Sequence, residues 1–316
     1  MSTPTDSEAE AGIATAVWGI VVTFNPDASV VGNVQQIARE CRRVVVVDNG
    51  SESSALEPLR NGLPPTARIV ALGKNLGIAA ALNRGVEAAL GEGAQVVVTF
   101  DQDSAPERGF VAALLEMAEQ VGKRWGVIGC RIAEVGLSRG YRWLRPGPLP
   151  LTFSRVPCGS TGLRNVAMVI SSGSLLNLPL WQRVGGFDEG LFIDAVDTDY
   201  CLRVADAGGE VAVAAGAILK HRLGARRQVA LPGPLGRPTF HSPLRHYFMA
   251  RNRWLLLRRH WAKGYWVSFE FAAAVLNTFR VMLAEDRKRA KLRAIVIGTL
   301  DGIRGRKGAC APENFR

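Results

Sequence analysis

VVVTFDQDSA, residues 96–105, places an apolar, β-branched run directly before two aspartates that flank one glutamine. Such a run is typical of a strand that is buried in a parallel sheet. Asp101 and Asp103 repel each other when both are ionised, so a strand that ends on them needs a reason. One reason is a divalent cation, because Mg²⁺ binds one or two carboxylates together with phosphate oxygens. The other is a plain strand-to-helix turn, capped by Asp or Ser, with Pro106 near the first helical position.

The segments around this stretch alternate between strand-like and helix-like patterns. Apolar runs predict four strands, at 16–24, 43–51, 67–73 and 95–100. Helical spacing of apolar residues predicts helices over 28–41 and 78–91. Strands that alternate with helices imply right-handed βαβ crossovers. We therefore predict an α/β fold with a mostly parallel central sheet and flanking helices.

Polar side chains follow these strands at their carboxyl ends, namely Asn25, Asp48, Asn75 and Asp101. Open α/β sheets bind ligands at that edge. Neither GxGxxG nor GxxxxGK[ST] follows a strand, which excludes the standard dinucleotide and P-loop cradles. The Asx-rich edge suits hydrogen bonding to a base and a ribose. Hydrolases that form an aspartyl-phosphate also begin with DxD at a strand end, but they expect Thr or Val where this chain has Ala105.

A second group of carboxylates lies between residues 171 and 221, at Asp188, Asp194, Asp197 and Asp199. Helical spacing of Val196, Tyr200 and Val204 places Asp197 at the start of a helix. In a purely structural interpretation, Asp197 is a charge favoured by the helix dipole, worth under about 1 kcal/mol when exposed. In a catalytic interpretation, it is a general base that lies beside a substrate. His221 taken alone is typical of a surface or core-edge histidine.

The basic residues are concentrated in the last third of the chain. The net charge is +11, and 21 of the 39 Lys and Arg lie from Lys220 onward, against 5 of the 28 Asp and Glu. Such a block suits an anionic membrane face or a nucleic acid. Glu270 and Arg280 interrupt the apolar stretch 265–284, which favours a helix lying in the membrane interface over one that spans it. Helices packed on the rest of the protein, with a solvated basic face, are the alternative.

The five cysteines form neither a CxxC nor a CxxH pair, so no disulfide framework or zinc knuckle is indicated. Reduced thiols suggest the cytoplasm. Residues 1–15 have no signal-peptide pattern and predict a disordered tail. Two stretches rich in Gly and Pro, 147–165 and 232–243, predict loops. The first is expected between the two halves of the domain, and the second before the C-terminal helices.

Several motifs together resemble the inverting family 2 glycosyltransferases of GT-A fold, and within them the bacterial rhamnosyltransferases. They are TFN, VVVDNGS, NLGIAAALNRG, FDQDS, SSGSLL and GGFDEGLFIDAVDTDYCLR, with His221 after them. The resemblance covers about residues 16–260, and FDQDS with FIDAVDTDYCLR is its most specific part. It implies a GT-A catalytic domain over 16–243 and a basic amphipathic helical region over 244–316.

The resemblance also implies roles for single residues. The nucleotide-sugar set is Thr23, Asn25, Asp48, Asn75, Asn83, Asp101 and Gln102. Asp103 and His221 correspond to ligands of Mg²⁺ or Mn²⁺, and Asp197 to the catalytic base. Ser172, Gly173 and Asp194 lie on the acceptor side. The DQD form departs from the commoner DDD or DAD, so Asp103 is the expected direct ligand.

As a resemblance, this predicts transfer of L-rhamnose from dTDP-rhamnose to a lipid-linked or polysaccharide acceptor, in cell-surface glycan synthesis of the O-antigen or capsule type. The expected place is the cytoplasmic face of the inner membrane, bound peripherally to anionic lipid and without a nucleic-acid partner. Two alternatives stay open at this point. One is a nucleic-acid-binding protein that uses the basic region, and the other is an inactive homologue that only binds a nucleotide sugar.

Overall fold

The computed structural model describes residues 17–133, 141–221, 240–311 and 313. The predicted tail 1–15 and most of the predicted loop 232–243 lie outside them. The first part alternates strand and helix: β1 Val17–Thr23, α1 Ser29–Glu40, β2 Arg43–Asp48, α2 Ser53–Gly62, β3 Ala67–Ala71, α3 Ile78–Leu90 and β4 Val96–Asp101. The four strands and the helices α1 and α3 were predicted, whereas α2 was not. β2 ends three residues earlier than predicted, because Gly50 N and Ser51 N turn back to the Asp48 carboxylate at 3.3 and 3.2 Å.

The second part adds shorter strands and the C-terminal helices. They are β5 Ser104–Pro106, α4 Phe110–Val121, β6 Trp125–Ala133, β7 Arg142–Pro146, β8 Phe153–Pro157, β9 Ser174–Asn177, α5 Leu178–Val184, α6 Val196–Asp206, β10 Glu210–His221, α7 Pro243–Arg259, α8 Gly264–Ala284 and α9 Lys288–Ile303. α6 confirms the helix predicted from the spacing of Val196, Tyr200 and Val204.

The central sheet has eight strands in the order β3-β2-β1-β4-β9-β6-β10-β5. β9 runs antiparallel to both of its neighbours and β5 antiparallel to β10, while the other pairs are parallel. This confirms the predicted α/β fold with a mostly parallel sheet. Helices cover both faces: α1, α2 and α4 pack on one, and α3, α5 and α6 on the other.

The sheet must curl, and the DQD turn shows why. Only Gln102 and Asp103 separate β4 from β5, yet three strands lie between β4 and β5 in the sheet order. The chain from Asp101 to Ser104 spans at most about 10 Å. Four strand spacings of about 4.8 Å would need about 19 Å in a flat sheet. The curl therefore brings the end of β10 back to the DQD turn.

The predicted loop 147–165 is partly a strand, which corrects that prediction. β8 lies within it and pairs antiparallel with β7. Gly147 and Thr152 close the turn of this hairpin, with Gly147 N donating to Thr152 O at 2.8 Å. Phe153 packs edge-on against Phe269 of α8, with ring centroids 5.6 Å apart. The high Gly and Pro content reflects the turn of the hairpin, whereas the strand β8 is stabilised by the contact of Phe153 with Phe269.

The C-terminal helices pack against the part of the chain that contains the central sheet. α7 packs along α9, where the buried Tyr247 hydroxyl donates to Asp301 at 3.0 Å. Phe248 of α7 stacks on Phe192, in the loop before α6, at 5.2 Å. The domain boundary at residue 243 stays a prediction, but α7 makes close contact across it. All five cysteines are free, which fits the absence of a disulfide framework.

Among the described residues, α8 is a helix long and apolar enough to cross a membrane by length and composition. It is nevertheless attached to the protein along one side. Trp266 and Val281 are fully buried, and the Glu270 carboxylate accepts a hydrogen bond from Arg253 Nε of α7 at 2.8 Å. The opposite side of α8 is exposed.

Candidate active site

The strand register places the predicted polar residues on one edge of the sheet. Thr23 lies opposite Asp48 in the β1–β2 pair, and Val22 lies opposite Asp101 in the β1–β4 pair. β1, β2 and β4 therefore end at the same level. Their carboxyl ends form the edge at which the sequence predicted a ligand site.

Hydrogen bonds join the Asx residues of this edge. Asn25 N donates to Ser51 Oγ at 2.8 Å, and Asn25 Oδ1 accepts from Glu52 N at 2.9 Å. The Asp48 carboxylate is nearly buried and binds the backbone and the hydroxyl of Ser51. These bonds fix the loops after β1 and β2 against each other.

Asn49, which the sequence reasoning missed, connects this group to the loop before α3. Its Nδ2 donates to Asn75 Oδ1 at 3.1 Å, and its Oδ1 accepts from Leu76 N at 2.9 Å. Thr23 is buried beside them, with its hydroxyl 3.5 Å from Val47 O. The VVVDNGS motif could have pointed to Asn49, because an amide side chain directly after a strand-end Asp can form hydrogen bonds with a neighbouring loop.

Gln102 ties the DQD turn to the end of β1. Its Oε1 accepts from Phe24 N at 2.8 Å, and its backbone carbonyl accepts from Asn33 Nδ2 at 2.9 Å. Gln102 is therefore bonded to the end of β1 through its side chain and to α1 through its backbone carbonyl. Asp101 and Asp103 on either side of it are partly exposed.

Ser172 lies beneath the DQD turn and holds both of its ends. Its hydroxyl accepts from Asp101 N at 3.1 Å and lies 2.6 Å from Ser104 Oγ. Gly173 follows with φ of 77° and donates from its N to Thr99 O at 2.7 Å. A Cβ at Gly173 would lie 2.4 Å from Cys130 Sγ, so both backbone shape and space require glycine there.

Asp197 is the second residue of α6, and the dipeptide Ser171–Ser172 connects it to the DQD turn by hydrogen bonds. Its carboxylate accepts from Ser171 N at 3.3 Å and from Thr198 N at 2.8 Å. Ser171 is the chain neighbour of Ser172, which binds Asp101 N. The structure therefore brings together the two acidic groups that the sequence placed about a hundred residues apart.

Burial raises the pKa of Asp197, and the nearby charge of Asp194 raises it further, against the lowering effect of the two backbone hydrogen bonds. The side chain is still partly exposed. A raised pKa makes a carboxylate a better proton acceptor near neutral pH. The environment of Asp197 thus suits a general base better than a simple helix-start charge.

Arg245 of α7 lies among the acidic groups, and the sequence reasoning missed it. Its Nη2 and Nε donate to the Asp194 carboxylate at 2.9 and 3.1 Å. Although burial lowers the pKa of Arg245, the charges of Asp194, Asp101 and Asp197 raise it above its ordinary value. One guanidinium therefore lies within electrostatic reach of three aspartates. Arg245 lies in the basic helical region 244–316, which the sequence predicts at a membrane, and that expectation hid this role.

The metal prediction rests on Asp103 and His221. β10 ends at His221, and the register of β10 with β5 places it opposite Ser104, one residue after Asp103. The His221 side chain lies outside the described part of the structure. Within that part, no group of three or more His, Cys, Asp or Glu could hold a metal ion. Two carboxylates on an exposed turn still fit Mg²⁺ or Mn²⁺, provided that phosphate oxygens complete the set.

Asn83 serves a different loop from the other predicted nucleotide-binding residues. Its Nδ2 donates to Phe187 O at 2.9 Å and to Glu189 Oε1 at 3.0 Å, and its Oδ1 accepts from Phe187 N at 2.8 Å. The amide is buried. In this structure Asn83 fixes the GGFDEG segment to α3, and its contact with a nucleotide stays a prediction.

Asp199 forms a buried ionic cluster next to the site. Arg203 Nε and Arg259 Nη1 donate to its carboxylate at 2.8 and 2.6 Å, and His260 Nε2 lies 3.3 Å away. Burial by itself would raise the pKa of Asp199, but the hydrogen bond with His260 and the two arginine charges lower it to about 2. The cluster joins α6 to the end of α7.

Comparisons with known proteins show which family this chain resembles. Residues 20–174 match the family model described as glycosyl transferase family 2. The chain is 29% identical over 308 residues to the dTDP-rhamnosyl transferase RfbF of Shigella flexneri, covering 92% of this chain and 97% of that protein.

Solved structures show the same fold. TarS 1–349 of S. aureus superposes with a TM-score of 0.56 at 14% identity, over 91% of this chain and 80% of that one. Another structure of it, in complex with UDP-GlcNAc, gives 0.56 at 15% identity, over 91% and 81%. GalNAc-T7, crystallised with UDP, GalNAc and Mn²⁺, gives 0.52 at 16% identity, over 65% of this chain and 43% of its own longer chain.

Proposed function

Because this chain is a family 2 glycosyltransferase of GT-A fold, we propose that it transfers L-rhamnose from dTDP-rhamnose with inversion. The proposed acceptor is a lipid-linked or polysaccharide glycan of the O-antigen or capsule type. The rhamnosyl donor is suggested by the similarity to RfbF over nearly the whole chain. Neither an aspartyl-phosphate hydrolase nor a nucleic-acid-binding protein would account for the family match.

One observation carries the proposal: Ser171–Ser172 connects Asp197 to the DQD turn. A donor whose diphosphate lies at Asp101 and Asp103 would then present its sugar towards Asp197. In the proposed reaction, the Asp197 carboxylate takes the proton of the acceptor hydroxyl as its oxygen attacks the anomeric carbon. Attack from the face opposite the diphosphate inverts the configuration in one displacement.

Other residues of this chain would orient the two substrates. The Asx network after β1 and β2, with Asn49 and Asn75, offers carbonyl and amide groups to a base and ribose. Asp103 and His221, with Asp101 beside them, would hold Mg²⁺ or Mn²⁺, which stabilises charge on the leaving diphosphate. Ser172, Gly173 and Asp194 are proposed for the acceptor side, since all three adjoin the segments that position Asp197.

A donor panel tests this proposal. Purified protein is incubated with Mn²⁺ and dTDP-rhamnose, dTDP-glucose, UDP-GlcNAc or UDP-galactose, and its thermal midpoint and slow donor hydrolysis are measured. We expect dTDP-rhamnose to give the largest rise in midpoint and the fastest hydrolysis, because ligands that bind only the folded state stabilise it. Asp103→Asn is the matched variant, and it should lose the Mn²⁺-dependent part of the rise.

A UDP-hexose that stabilises strongly while dTDP-rhamnose has no effect would overturn the donor assignment and leave the enzyme class intact. Stabilisation by none of the four donors would count against the proposed site as a whole.

The proposed location is the cytoplasmic face of the inner membrane, and α8 supports it. The exposed side of α8 carries a row of apolar side chains at helical spacing: Phe271, Val275, Phe279 and Met282. Arg287, Lys288 and Arg289 are exposed after this helix, beyond Glu285 and Asp286. An apolar row beside exposed cations is the pattern of a helix that lies in the interface of an anionic membrane. Because α8 also packs on Arg253 and Phe153, we propose that it lies along the membrane without spanning it.

A further inference from the structure

The segment that leads into α6 is strained. Phe192, Asp194 and Ala195 have φ of 64°, 64° and 62°. For a residue with a Cβ, this left-handed region brings steric strain between the side chain and the backbone. Such strain persists only where surrounding contacts hold the backbone in place. Ala195 immediately precedes α6, so the strained segment decides where Asp197 points.

The side chain of Asn252 on α7 holds this segment. Its Nδ2 donates to the carbonyls of Leu191, Ile193 and Asp194, at 3.0, 2.8 and 2.8 Å. Its Oδ1 accepts from Arg251 Nε at 3.0 Å, which fixes the orientation of the amide. Asn252 is fully buried. A single amide thus binds three carbonyls within the five residues, 191–195, that lead to the start of α6.

Neighbouring contacts hold other parts of the same segment. Arg251 Nη2 donates to Gly190 O at 3.2 Å and Leu191 O at 2.9 Å. On the other side, Ile78 N at the start of α3 donates to Phe192 O at 2.7 Å. The Asn252 side chain donates to the backbone carbonyls of Ile193 and Asp194, the last of which lies two residues before the start of α6.

We propose that Asn252 is a positioning residue for Asp197: it keeps the strained segment 191–195 in the conformation that aims the Asp197 carboxylate into the site. Asn252 acts through the segment, and its own contacts are with the protein backbone. The inference rests on the proposed role of Asp197 as general base. It also gives α7 a part in catalysis, in addition to any contact of the C-terminal region with lipid.

The test uses Asn252→Asp and Asn252→Ala in the full-length protein. Asn252→Asp keeps the shape but turns the donor into an oxygen that repels the three carbonyls. We expect kcat to fall by about 10- to 100-fold, since small misplacement of a catalytic group costs that much. KM for the nucleotide-sugar donor should stay within about twofold, because the hydrogen bonds of the Asn252 side chain go to the segment 191–194 and Arg251, and not to the Asx residues of the donor-binding edge.

The pH profile distinguishes positioning from a loss of stability. A loosened segment admits water to Asp197 and removes part of the burial that raises its pKa. The acid limb of kcat should therefore move to lower pH in the Asn252 variants. A second variant, Ala195→Gly, relieves strain at one position, and in the Asn252→Ala background it should restore kcat by about threefold or more.

Arg253→Gln is the matched control. The Arg253 side chain lies on the same helix but bonds Glu270 of α8, so the variant loses that ion pair and keeps the hydrogen bonds of Asn252 to the segment 191–195. It should lower the thermal midpoint while leaving kcat and the acid limb unchanged. Asn252→Ser, which keeps one donor on a smaller side chain, is measured beside the others as the milder change, and circular dichroism checks that each variant is folded.

Folded Asn252 variants with wild-type kcat would overturn the proposal. So would a kcat loss with an unmoved acid limb and no restoration by Ala195→Gly. The outcome for Asp197→Asn separates this from the proposed function. If Asp197→Asn is inactive while the Asn252 variants are fully active, only the positioning role fails. If Asp197→Asn is fully active, the role of Asp197 as base fails first.

Discussion

At the scale of single residues, Asp197 combines two properties that a general base needs. It is partly exposed at the start of α6, and its surroundings raise its pKa through burial and the charge of Asp194. Ser171 N and Thr198 N bind its oxygens and fix their direction. A carboxylate that only interacts with the helix dipole would need neither the hydrogen bond from Ser171 nor the hydrogen bonds of Asn252 to the segment 191–195 before the helix.

Asp197→Asn should abolish most of the transfer activity. The amide keeps the shape but cannot accept the acceptor's proton, so turnover should fall by at least about 10²- to 10⁴-fold. Donor binding, measured by calorimetry, should survive because the donor edge is unchanged. Asp206→Asn, at the exposed end of the same helix, is the control and should keep full turnover. Wild-type turnover by Asp197→Asn would remove this residue from the mechanism.

The pH dependence of turnover should report the same carboxylate. Asp197 acts only when ionised, so turnover falls as the pH drops through its pKa. Since the pKa is raised above the ordinary value of 3.8, the acid limb should begin at a higher pH than an exposed aspartate would give. Kcat measured across pH 4 to 9 tests this, with folding checked by circular dichroism at each pH. An acid limb at the ordinary value or below would contradict it.

At the scale of elements, α7 and α8 differ in their contacts: most charged residues of α7 are paired within the protein, whereas one side of α8 is exposed. The arginines of α7 that the sequence analysis assigned to a membrane are mostly engaged within the protein: Arg245 with Asp194, Arg253 with Glu270 and Arg259 with Asp199. The outward side of α8 is different, with Phe271 73% and Phe279 48% exposed. The proposed membrane contact therefore belongs to α8 and the cations after it.

Replacing Phe271 and Phe279 together by Glu should weaken membrane binding. Each buried aromatic ring contributes about 1.5–3 kcal/mol of apolar transfer, so co-sedimentation with phosphatidylglycerol vesicles should fall at least tenfold. Arg60→Glu on α2 changes the net charge by the same amount on the other face of the sheet and is the control. It should bind the vesicles like the wild type. Equal binding by the double variant would show that α8 is not the contact.

At the scale of the whole molecule, the Asp199 cluster links the catalytic part to the C-terminal helices. Asp199 of α6 is fully buried and carries hydrogen bonds from Arg203, Arg259 and His260. Removing one partner from such a cluster leaves buried charge without compensation. The cluster is therefore expected to set much of the stability of the junction between α6 and α7.

Asp199→Asn should lower the free energy of unfolding by about 3 kcal/mol, measured by urea denaturation at pH 7. Glu87→Gln, in an exposed ion pair with Arg84, should cost well under about 1 kcal/mol. Because the folded pKa of Asp199 is depressed, its contribution is fully present above the ordinary value of 3.8 and is lost as the pH falls towards 2. The wild type should lose stability in that window more steeply than Asp199→Asn. Parallel curves would contradict the role of the cluster.

Local pattern was enough for much of the fold. The helix predicted over 28–41 is α1, and the strand predicted at 95–100 is β4 with Asp101 added. Apolar spacing reflects which side of an element is buried, so it is readable within a short window. The hairpin β7–β8 was missed because its second strand has few apolar residues, and what fixes it is the contact of Phe153 with Phe269, more than a hundred residues away.

The sequence by itself determined the parallel sheet, the polar ends of its strands and the helix that begins at Asp197, because strand and helix periods and strand-end Asx residues are local properties. Only the tertiary structure decided that the sheet curls, that Ser171–Ser172 joins Asp197 to the DQD turn, and that Asn252 holds the segment before α6. Each of these depends on hydrogen bonds between residues far apart in the chain, and a buried amide on a basic helix has the same local pattern as a surface one.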